Sequence, residues 1–91
     1  MSVTVKIPTP LRRMTSGKDA VEVDANNILE CIDALEAQFP GMKERLCTND
    51  SELHRFVNVY VNGEDVRFLQ GLSTALKASD EVSIVPAVAG G

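Results

Sequence analysis

A run of alternating residues that ends in Asn-Gly constrains the fold of this chain more than any other feature. Valine occupies every second position of VNVYV, residues 57–61, which is the pattern of a strand with one buried face. Asn62 and Gly63 follow directly, and this pair readily adopts the positive φ angles of a two-residue hairpin turn. The segment FVNVYVNGEDVRF, residues 56–68, is therefore predicted to pair with itself as a hairpin.

Three further runs have the character of strands. VTVKI, residues 3–7, alternates apolar and polar residues and ends before two prolines. The turn region LRRMTSGK leads to a second alternating run at 21–23, so these two strands are predicted to form a hairpin with a long loop. Near the end of the chain, a charged turn at Asp80 and Glu81 is expected to precede a last short strand, VSIVP, at 82–86.

One helix is predicted between the two hairpins. Asn27 lies three residues before Glu30, an arrangement in which the asparagine side chain caps the first free N–H groups and the glutamate reaches back. The apolar residues that follow recur at helical spacing and form one stripe, which consists of Ile28, Ile32, Leu35 and Phe39 with Cys31 beside it. Pro40 and Gly41 end the helix, and one further helical turn is expected around residues 42–46.

The order of these elements predicts an α+β roll. Ninety-one residues with 44% hydrophobic content suffice for one domain with one core. A helix that follows a hairpin has to cover one face of the sheet, since the inward side chains of the strands need a partner. We therefore expect a mixed sheet of about five strands packed on one main helix. The domain is expected to span residues 1–86, with a flexible tail over residues 87–91.

Charge and hydropathy restrict the classes of partner. Nine basic and thirteen acidic residues give a net charge of −4, which argues against nucleic acid and favours a partner with a basic patch. Arg12 and Arg13 are candidates for contact with a partner, but a solvated loop is the favoured interpretation of these two residues. No apolar stretch approaches the roughly 20 residues that span a bilayer, and the start of the chain lacks the blocks of a signal peptide. We expect a cytoplasmic protein without a membrane partner.

The residue types that commonly carry chemistry are few. Cys31 and Cys47 form no CxxC motif, and His54 is the single histidine. These residues do not have the spacing of a zinc site, and no Ser/His/Asp arrangement stands out in so short a chain. We expect structural roles for all three residues, no bound metal, and no enzymatic activity of the chain by itself.

The chain ends in VPAVAGG, residues 85–91. Glycine is costly to order and frayed ends usually carry polar residues, so a small, apolar and uncharged end directly after a strand is unusual. The terminal carboxyl group of Gly91 is therefore predicted to be the working part. From Pro86 to Gly91 the tail can extend about 16 to 20 Å, at roughly 3.3 Å per residue.

Three segments resemble the ubiquitin-like sulfur carriers, the family that includes the thiamine and molybdopterin sulfur carriers. They are VNVYVNGEDVR at 57–67, DEVSIVPAV at 80–88 and the terminal Gly90-Gly91. The resemblance covers almost the whole chain and implies the β-grasp fold. Within this family, HRFVNVYVNGEDVRF, VTVKIPTPLR and VPAVAGG are most similar to the carriers of O-phosphoserine-dependent cysteine synthesis.

The resemblance implies a function for the tail. An E1-like enzyme adenylates Gly91 with ATP, and sulfur then displaces AMP to give a thiocarboxylate, which is nucleophilic without any side chain of the carrier. Gly90 and Gly91 lack Cβ atoms, so this backbone can enter a narrow active-site channel. The carrier itself is expected to bind no cofactor. The further partners implied are a pyridoxal-phosphate-dependent cysteine synthase and a zinc metallopeptidase.

Other functions share the same tail chemistry. The alternatives are the small subunit of molybdopterin synthase, a thiamine sulfur carrier, and a protein modifier joined to lysines through Gly91. The likeness to the carriers of cysteine synthesis at both ends of the chain favours the carrier role.

Partner enzymes also need a docking surface on the domain. If the valines of residues 57–61 face the helix, then Phe56, Tyr60 and Val85 emerge on the opposite face of the sheet. Exposed apolar groups there form a patch that a partner can bind. The tail residues between this patch and the terminal glycines are expected to contact the partner as well, and they are Ala87, Val88 and Ala89.

Overall fold

Five strands form one mixed sheet in the computed structural model, which describes residues 2–48, 52–55 and 57–86. In chain order they are β1 (Ser2–Lys6), β2 (Ala20–Asp24), β3 (Val57–Val61), β4 (Glu64–Asp65) and β5 (Glu81–Pro86). Their order across the sheet is β2-β1-β5-β3-β4, in which β1 and β5 run parallel and the other neighbours run antiparallel. The predicted mixed sheet of an α+β fold is confirmed.

The main helix, α1 (Ile28–Gln38), begins where the sequence predicts it. The Asn27 Oδ1 accepts a hydrogen bond from the Glu30 backbone N–H at 2.8 Å, and the Glu30 Oε1 accepts one from the Asn26 N–H at 2.9 Å. The glutamate therefore reaches one residue further back than in the predicted capping arrangement. Both hydrogen bonds satisfy backbone donors at the start of the helix.

A short second helix, α2 (Met42–Leu46), forms at the predicted position. The Glu36 carboxylate of α1 accepts the N–H groups of Lys43 at 2.9 Å and Gly41 at 3.1 Å, and these hydrogen bonds hold the pKa of Glu36 below its ordinary value. The Lys43 Nζ donates to the Asp33 carboxylate at 2.8 Å. α2 is thereby fixed to α1.

In the described part of the chain, no helix has the length and apolar character needed to cross a membrane.

The core lies between the inner face of the sheet and α1. The stripe residues Ile28, Ile32 and Leu35 are buried, and Phe39 is partly buried. They belong to one cluster with the inward side chains of β1, β2, β3 and β5, which are Val3, Val5, Val21, Val23, Val57, Val59, Val61, Val82 and Ile84. Burial of each such side chain contributes about 1.5 to 3 kcal/mol, so this cluster is the main hydrophobic contribution to folding.

The hairpin of β3 and β4 is shorter than predicted. Its two turn residues have positive φ angles of 51° and 89°, but only two residue pairs join the strands. The Asp65 Oδ1 accepts a hydrogen bond from the Arg67 N–H at 2.8 Å, which starts a 3₁₀ helix at Val66–Phe68. The prediction that residues 56–68 pair throughout is wrong because this aspartate caps a turn, and the following valine enters the core.

The predicted charged turn before β5 is only partly correct. Asp80 lies in the connection, where its carboxylate accepts the Lys77 N–H at 2.8 Å and the Asn62 Nδ2–H at 3.0 Å. These hydrogen bonds hold the pKa of Asp80 below its ordinary value. Glu81 instead begins β5, and its N–H donates to the Asn62 Oδ1 at 3.0 Å. The hairpin turn is thereby tied to the start of β5.

Replacing Leu35 by alanine tests the placement of α1 on the sheet. Leu35 is 1% exposed, and truncation should lower the free energy of unfolding by about 2 to 5 kcal/mol because a cavity remains. Gln38→Ala, at an exposed position of the same helix, is the matched control and should change it by less than about 0.5 kcal/mol. Urea denaturation followed by circular dichroism measures both. Equal midpoints for the two variants would contradict the packing.

Candidate functional site

β5 is the last strand of the sheet and ends directly before the predicted tail. It lies in the middle of the sheet, and its last residue, Pro86, pairs with Val57 at the start of β3. The last pair between β1 and β5 is Lys6 with Ser83, so residues 84–86 extend past the end of β1. We call this end of the sheet, marked by Lys6, Val57 and Pro86, the exit end.

Five predicted site residues lie outside the described residues, and they are Ala87, Val88, Ala89, Gly90 and Gly91. Their roles therefore stay predictions, as does the division into a domain of residues 1–86 and a tail of residues 87–91. The described part of the chain ends at Pro86, which is also the last residue of β5.

The outer face of the sheet, opposite α1, carries two of the three predicted docking residues. Tyr60 and Val85 both point to this face, since their neighbours in the strands are buried, and Val85 is 42% exposed. Tyr60 pairs with Ser83 and Val85 pairs with Asn58, so Tyr60 and Val85 are diagonal neighbours about 7 to 8 Å apart. Phe56 lies outside the described residues. Because Ser83 and Asn58 are the strand partners of Tyr60 and Val85, this part of the outer face carries polar as well as apolar side chains.

Arg67 binds the edge of β3 at the exit end, a role that the sequence did not reveal. Its Nη1 donates to the Asn58 Oδ1 at 2.6 Å, and its Nη2 donates to the carbonyl oxygens of His54 at 2.7 Å and Val57 at 2.8 Å. β4 is only two residues long, so the guanidinium group covers a part of the β3 edge that β4 does not reach. The alternating pattern placed Arg67 in a strand, and nothing in the sequence indicates that its side chain binds the edge of β3.

Two exposed apolar side chains follow Arg67 directly. Phe68 is 87% exposed and Leu69 is 42% exposed. An open depression of about 390 Å³ is lined by Glu52, Leu53, Arg67, Gly71 and Leu72. The sequence pattern did not predict this surface, because it placed Phe68 in the hairpin. In the structure, Phe68 lies in a 3₁₀ helix outside the sheet.

The two cysteines are buried, whereas the histidine is partly exposed. Cys31 and Cys47 are free and buried. Burial raises the pKa of the Cys31 thiol to about 12, and burial also raises the pKa of Cys47, where the nearby Lys43 acts in the opposite direction. The His54 Nε2 lies 3.1 Å from the Glu44 carbonyl oxygen. Within the described residues, no three His, Cys, Asp or Glu side chains are arranged to hold a metal ion.

Arg12 and Arg13 lie in a 3₁₀ helix, Thr9–Thr15, within the connection between β1 and β2. The Arg12 Nε donates to the Ile7 carbonyl oxygen at 3.1 Å, whereas Arg13 is exposed. The interpretation as a solvated loop therefore fits Arg13, while Arg12 also supports the backbone at the exit end.

The fold and the exit end together define a class of protein. A mixed five-stranded sheet packed on one main helix, with its last strand in the centre, is the β-grasp architecture of ubiquitin-like proteins. The chain matches the ThiS family over residues 5–91 and belongs to this family. The predicted β-grasp fold and the resemblance to the ubiquitin-like sulfur carriers are confirmed.

Relatives agree with this assignment over the full length of the chain. The chain is 52% identical over 93 residues to sulfur carrier protein CysO of Mycobacterium tuberculosis, and the alignment covers 100% of both chains. The crystal structure of the Amycolatopsis orientalis BexX/CysO complex matches with a TM-score of 0.92 and 52% identity, covering 98% of this chain and 99% of that one. SAMP1 of Haloferax volcanii matches with a TM-score of 0.82 and 31% identity, covering 100% of both chains.

The burial of the thiols predicts their reactivity. A thiol reacts with iodoacetamide as the thiolate, so Cys31, whose pKa is about 12, should resist alkylation at pH 8 in the folded protein. In urea, where the raised pKa is lost, both thiols should be alkylated. Intact-protein mass spectrometry counts the added groups, and peptide mapping assigns them. Rapid alkylation of Cys31 without urea would contradict the burial.

Proposed function

We propose that this protein is a sulfur carrier that holds sulfur as a thiocarboxylate on Gly91 and delivers it in cysteine biosynthesis. The 52% identity to sulfur carrier protein CysO over the whole of both chains carries this proposal. The β-grasp domain, in which the central strand β5 ends at Pro86 directly before the predicted tail, supports it.

The proposed loading has two balanced steps. A carboxylate oxygen of Gly91 attacks the α-phosphorus of ATP in an E1-like activating enzyme, and pyrophosphate leaves. Hydrosulfide then attacks the acyl carbon of the mixed anhydride, AMP leaves with the electron pair of the broken C–O bond, and the sulfur loses its proton. The product is a thiocarboxylate, which needs no activating side chain on the carrier. ATP is thus used in the partner, and the carrier acts as a substrate of that enzyme.

The tail geometry supports insertion into a partner. Residues 87–91, fully extended, reach about 16 Å beyond Pro86 at roughly 3.3 Å per residue. That distance is enough to bring the Gly91 carboxyl to a buried centre while the folded domain stays outside. Gly90 and Gly91 add no side chain to the width of the tail, so a channel that admits only backbone suffices.

The sulfur is proposed to pass to a pyridoxal-phosphate-dependent cysteine synthase. The thiocarboxylate sulfur acts as the nucleophile there, and cysteine remains joined to the carrier until a zinc metallopeptidase releases it. Pyridoxal phosphate and zinc belong to these partners in the proposal. The carrier is proposed to meet these partners in the cytoplasm.

A protein modifier is the second candidate function. SAMP1 of Haloferax volcanii, whose full name is small archaeal modifier protein 1, shares the fold at a TM-score of 0.82. The identity of 31% to SAMP1 is well below the 52% to CysO. Expression of a tagged chain in its host separates the two functions, because a modifier would give larger conjugates that survive reduction and denaturation.

Deletion of Gly91 tests the reacting terminus. Exchange of one carboxyl oxygen for sulfur adds about 16 Da to the intact mass, and the wild-type chain should show this increment after incubation with the activating enzyme, ATP and sulfide. The deletion variant should remain folded without gaining mass, because its carboxyl is displaced by about 3.3 Å from a near-attack position. Gly90→Val should fold and load poorly. Normal loading of the deletion variant would contradict the proposal.

A chain without thiols separates loading at the tail from loading through a cysteine. The double variant Cys31→Ala, Cys47→Ala should gain the same increment of about 16 Da as the wild type, because the carboxyl carbon accepts the sulfur directly. Circular dichroism confirms that the variant is folded. Failure of a folded double variant to load would show that sulfur travels through a side-chain persulfide.

A further inference from the structure

The basic residues of the domain are concentrated at the exit end. Residues 6–19 leave β1 and return to β2 at this end, and they contain four basic side chains and one acidic side chain, Asp19. Arg55 precedes β3, and Arg67 donates to the Val57 carbonyl oxygen. Six of the nine Lys and Arg residues therefore lie here, and we call them the basic rim: Lys6, Arg12, Arg13, Lys18, Arg55 and Arg67.

The opposite end of the sheet carries acidic residues. Asp24 pairs with Ser2 at the start of β1, and Thr4 pairs with Glu22 on one side and with Glu81 on the other. Asp80 directly precedes β5 and is bonded to the Lys77 N–H. The charge thus changes sign along the strands, from acidic at this end to basic at the exit end.

The positive charges of the basic rim are accessible. Lys6, Arg13, Lys18 and Arg55 are exposed, and none of them forms an ion pair with a described acidic residue. Arg67 is exposed as well, and its guanidinium donates hydrogen bonds to uncharged oxygens of Asn58, His54 and Val57. Glu52 lines the same depression as Arg67, and Asp19 follows Lys18, but the six basic side chains of the rim outnumber these carboxylates near the end of β5.

We propose that the basic rim docks on carboxylate side chains around the opening through which the tail enters a partner enzyme. This inference rests on the proposed function, because a domain whose tail is inserted has to meet the enzyme with its exit end. The tail reaches only about 16 Å past Pro86, so the rim and the entrance come close together. Tyr60 and Val85 lie beside the rim, and an apolar centre with a charged border is typical of protein interfaces.

In this proposal, the charge of the exit end selects the partner, and the net charge of −4 of the whole chain does not. Charges are screened over a Debye length of about 8 Å at physiological ionic strength, so the acidic end of the sheet contributes little at the exit end. An approaching enzyme with an acidic entrance is attracted and oriented by the rim. The basic partner patch expected from the net charge would instead meet repulsion here.

Charge reversal with a matched control tests the rim through loading kinetics. Arg13→Glu lies in the rim, and Lys77→Glu makes the same change in net charge at the opposite end. Arg13→Glu should lower kcat/KM for loading by about tenfold with little change in kcat, because encounter is slowed. Lys77→Glu should stay within about twofold of the wild type. Raising NaCl from about 50 to 500 mM should remove most of the difference between the variants.

A titration without any enzyme tests the chemistry of the occupant. Hexaglutamate added to the ¹⁵N-labelled chain should shift the amide signals of the rim residues, with Glu22 and Asp24 unaffected. Arg13→Glu, with circular dichroism as the folding control, should weaken these shifts. A short DNA duplex is the competing probe, and tighter binding of the duplex than of the peptide would overturn the assignment to an acidic protein.

The outcomes separate this inference from the proposed function. If the wild type loads and Arg13→Glu loads as well as Lys77→Glu at low salt, the rim proposal is wrong and the carrier function stands. If the wild type gains no mass with an active enzyme, the carrier function is wrong, and the hexaglutamate titration then decides whether the rim binds acidic groups. Shifts spread evenly over the domain would overturn the rim in either case.

Discussion

The contact between the apolar stripe of α1 and the inner valines of the sheet holds the rest of the structure in place. Each of the four longer strands contributes to the same cluster. A slip of any strand by one residue would turn its valines towards solvent, so this contact also sets the strand register. The register in turn places Tyr60 beside Ser83 and Val85 beside Asn58 on the outer face. The side-chain composition of the predicted docking surface is thus a consequence of the core packing.

Local sequence patterns predicted those elements in which the spacing of apolar residues matches the spacing of the buried side chains. The alternating valines gave three of the longer strands and the inward face of β5, and the Asn27 and Glu30 side chains marked the start of α1. Prediction failed after Asp65, because a side chain that caps a turn and a valine that enters the core both look like a continuing strand in the sequence. The outcome there depends on tertiary contacts that alternation does not encode.

The candidate site was predictable to a different degree in its two parts. The functional tail was predicted from its composition and from the family resemblance, and its residues lie outside the described ones. The surface of the domain could be described only once the fold was known. The guanidinium of Arg67, for example, donates hydrogen bonds to residues that lie 9, 10 and 13 positions away in the chain. The separation of basic and acidic residues along the strands could not be predicted from the sequence either, because only the strand order places Lys6 and Arg55 at the same end of the sheet.

The position of β5 also has a consequence for how the protein is made. β1 and β3 are joined into one sheet only through β5, which lies between them. A nascent chain that has not yet reached residues 81–86 therefore holds two separate pieces of sheet, each with an open edge that can pair with other chains. Cooperative folding has to wait until β5 is available, and the pairing of distant segments makes it slower than in a helical bundle. Folding of the domain therefore follows synthesis of the strand that precedes the tail, and a prematurely terminated chain lacks both.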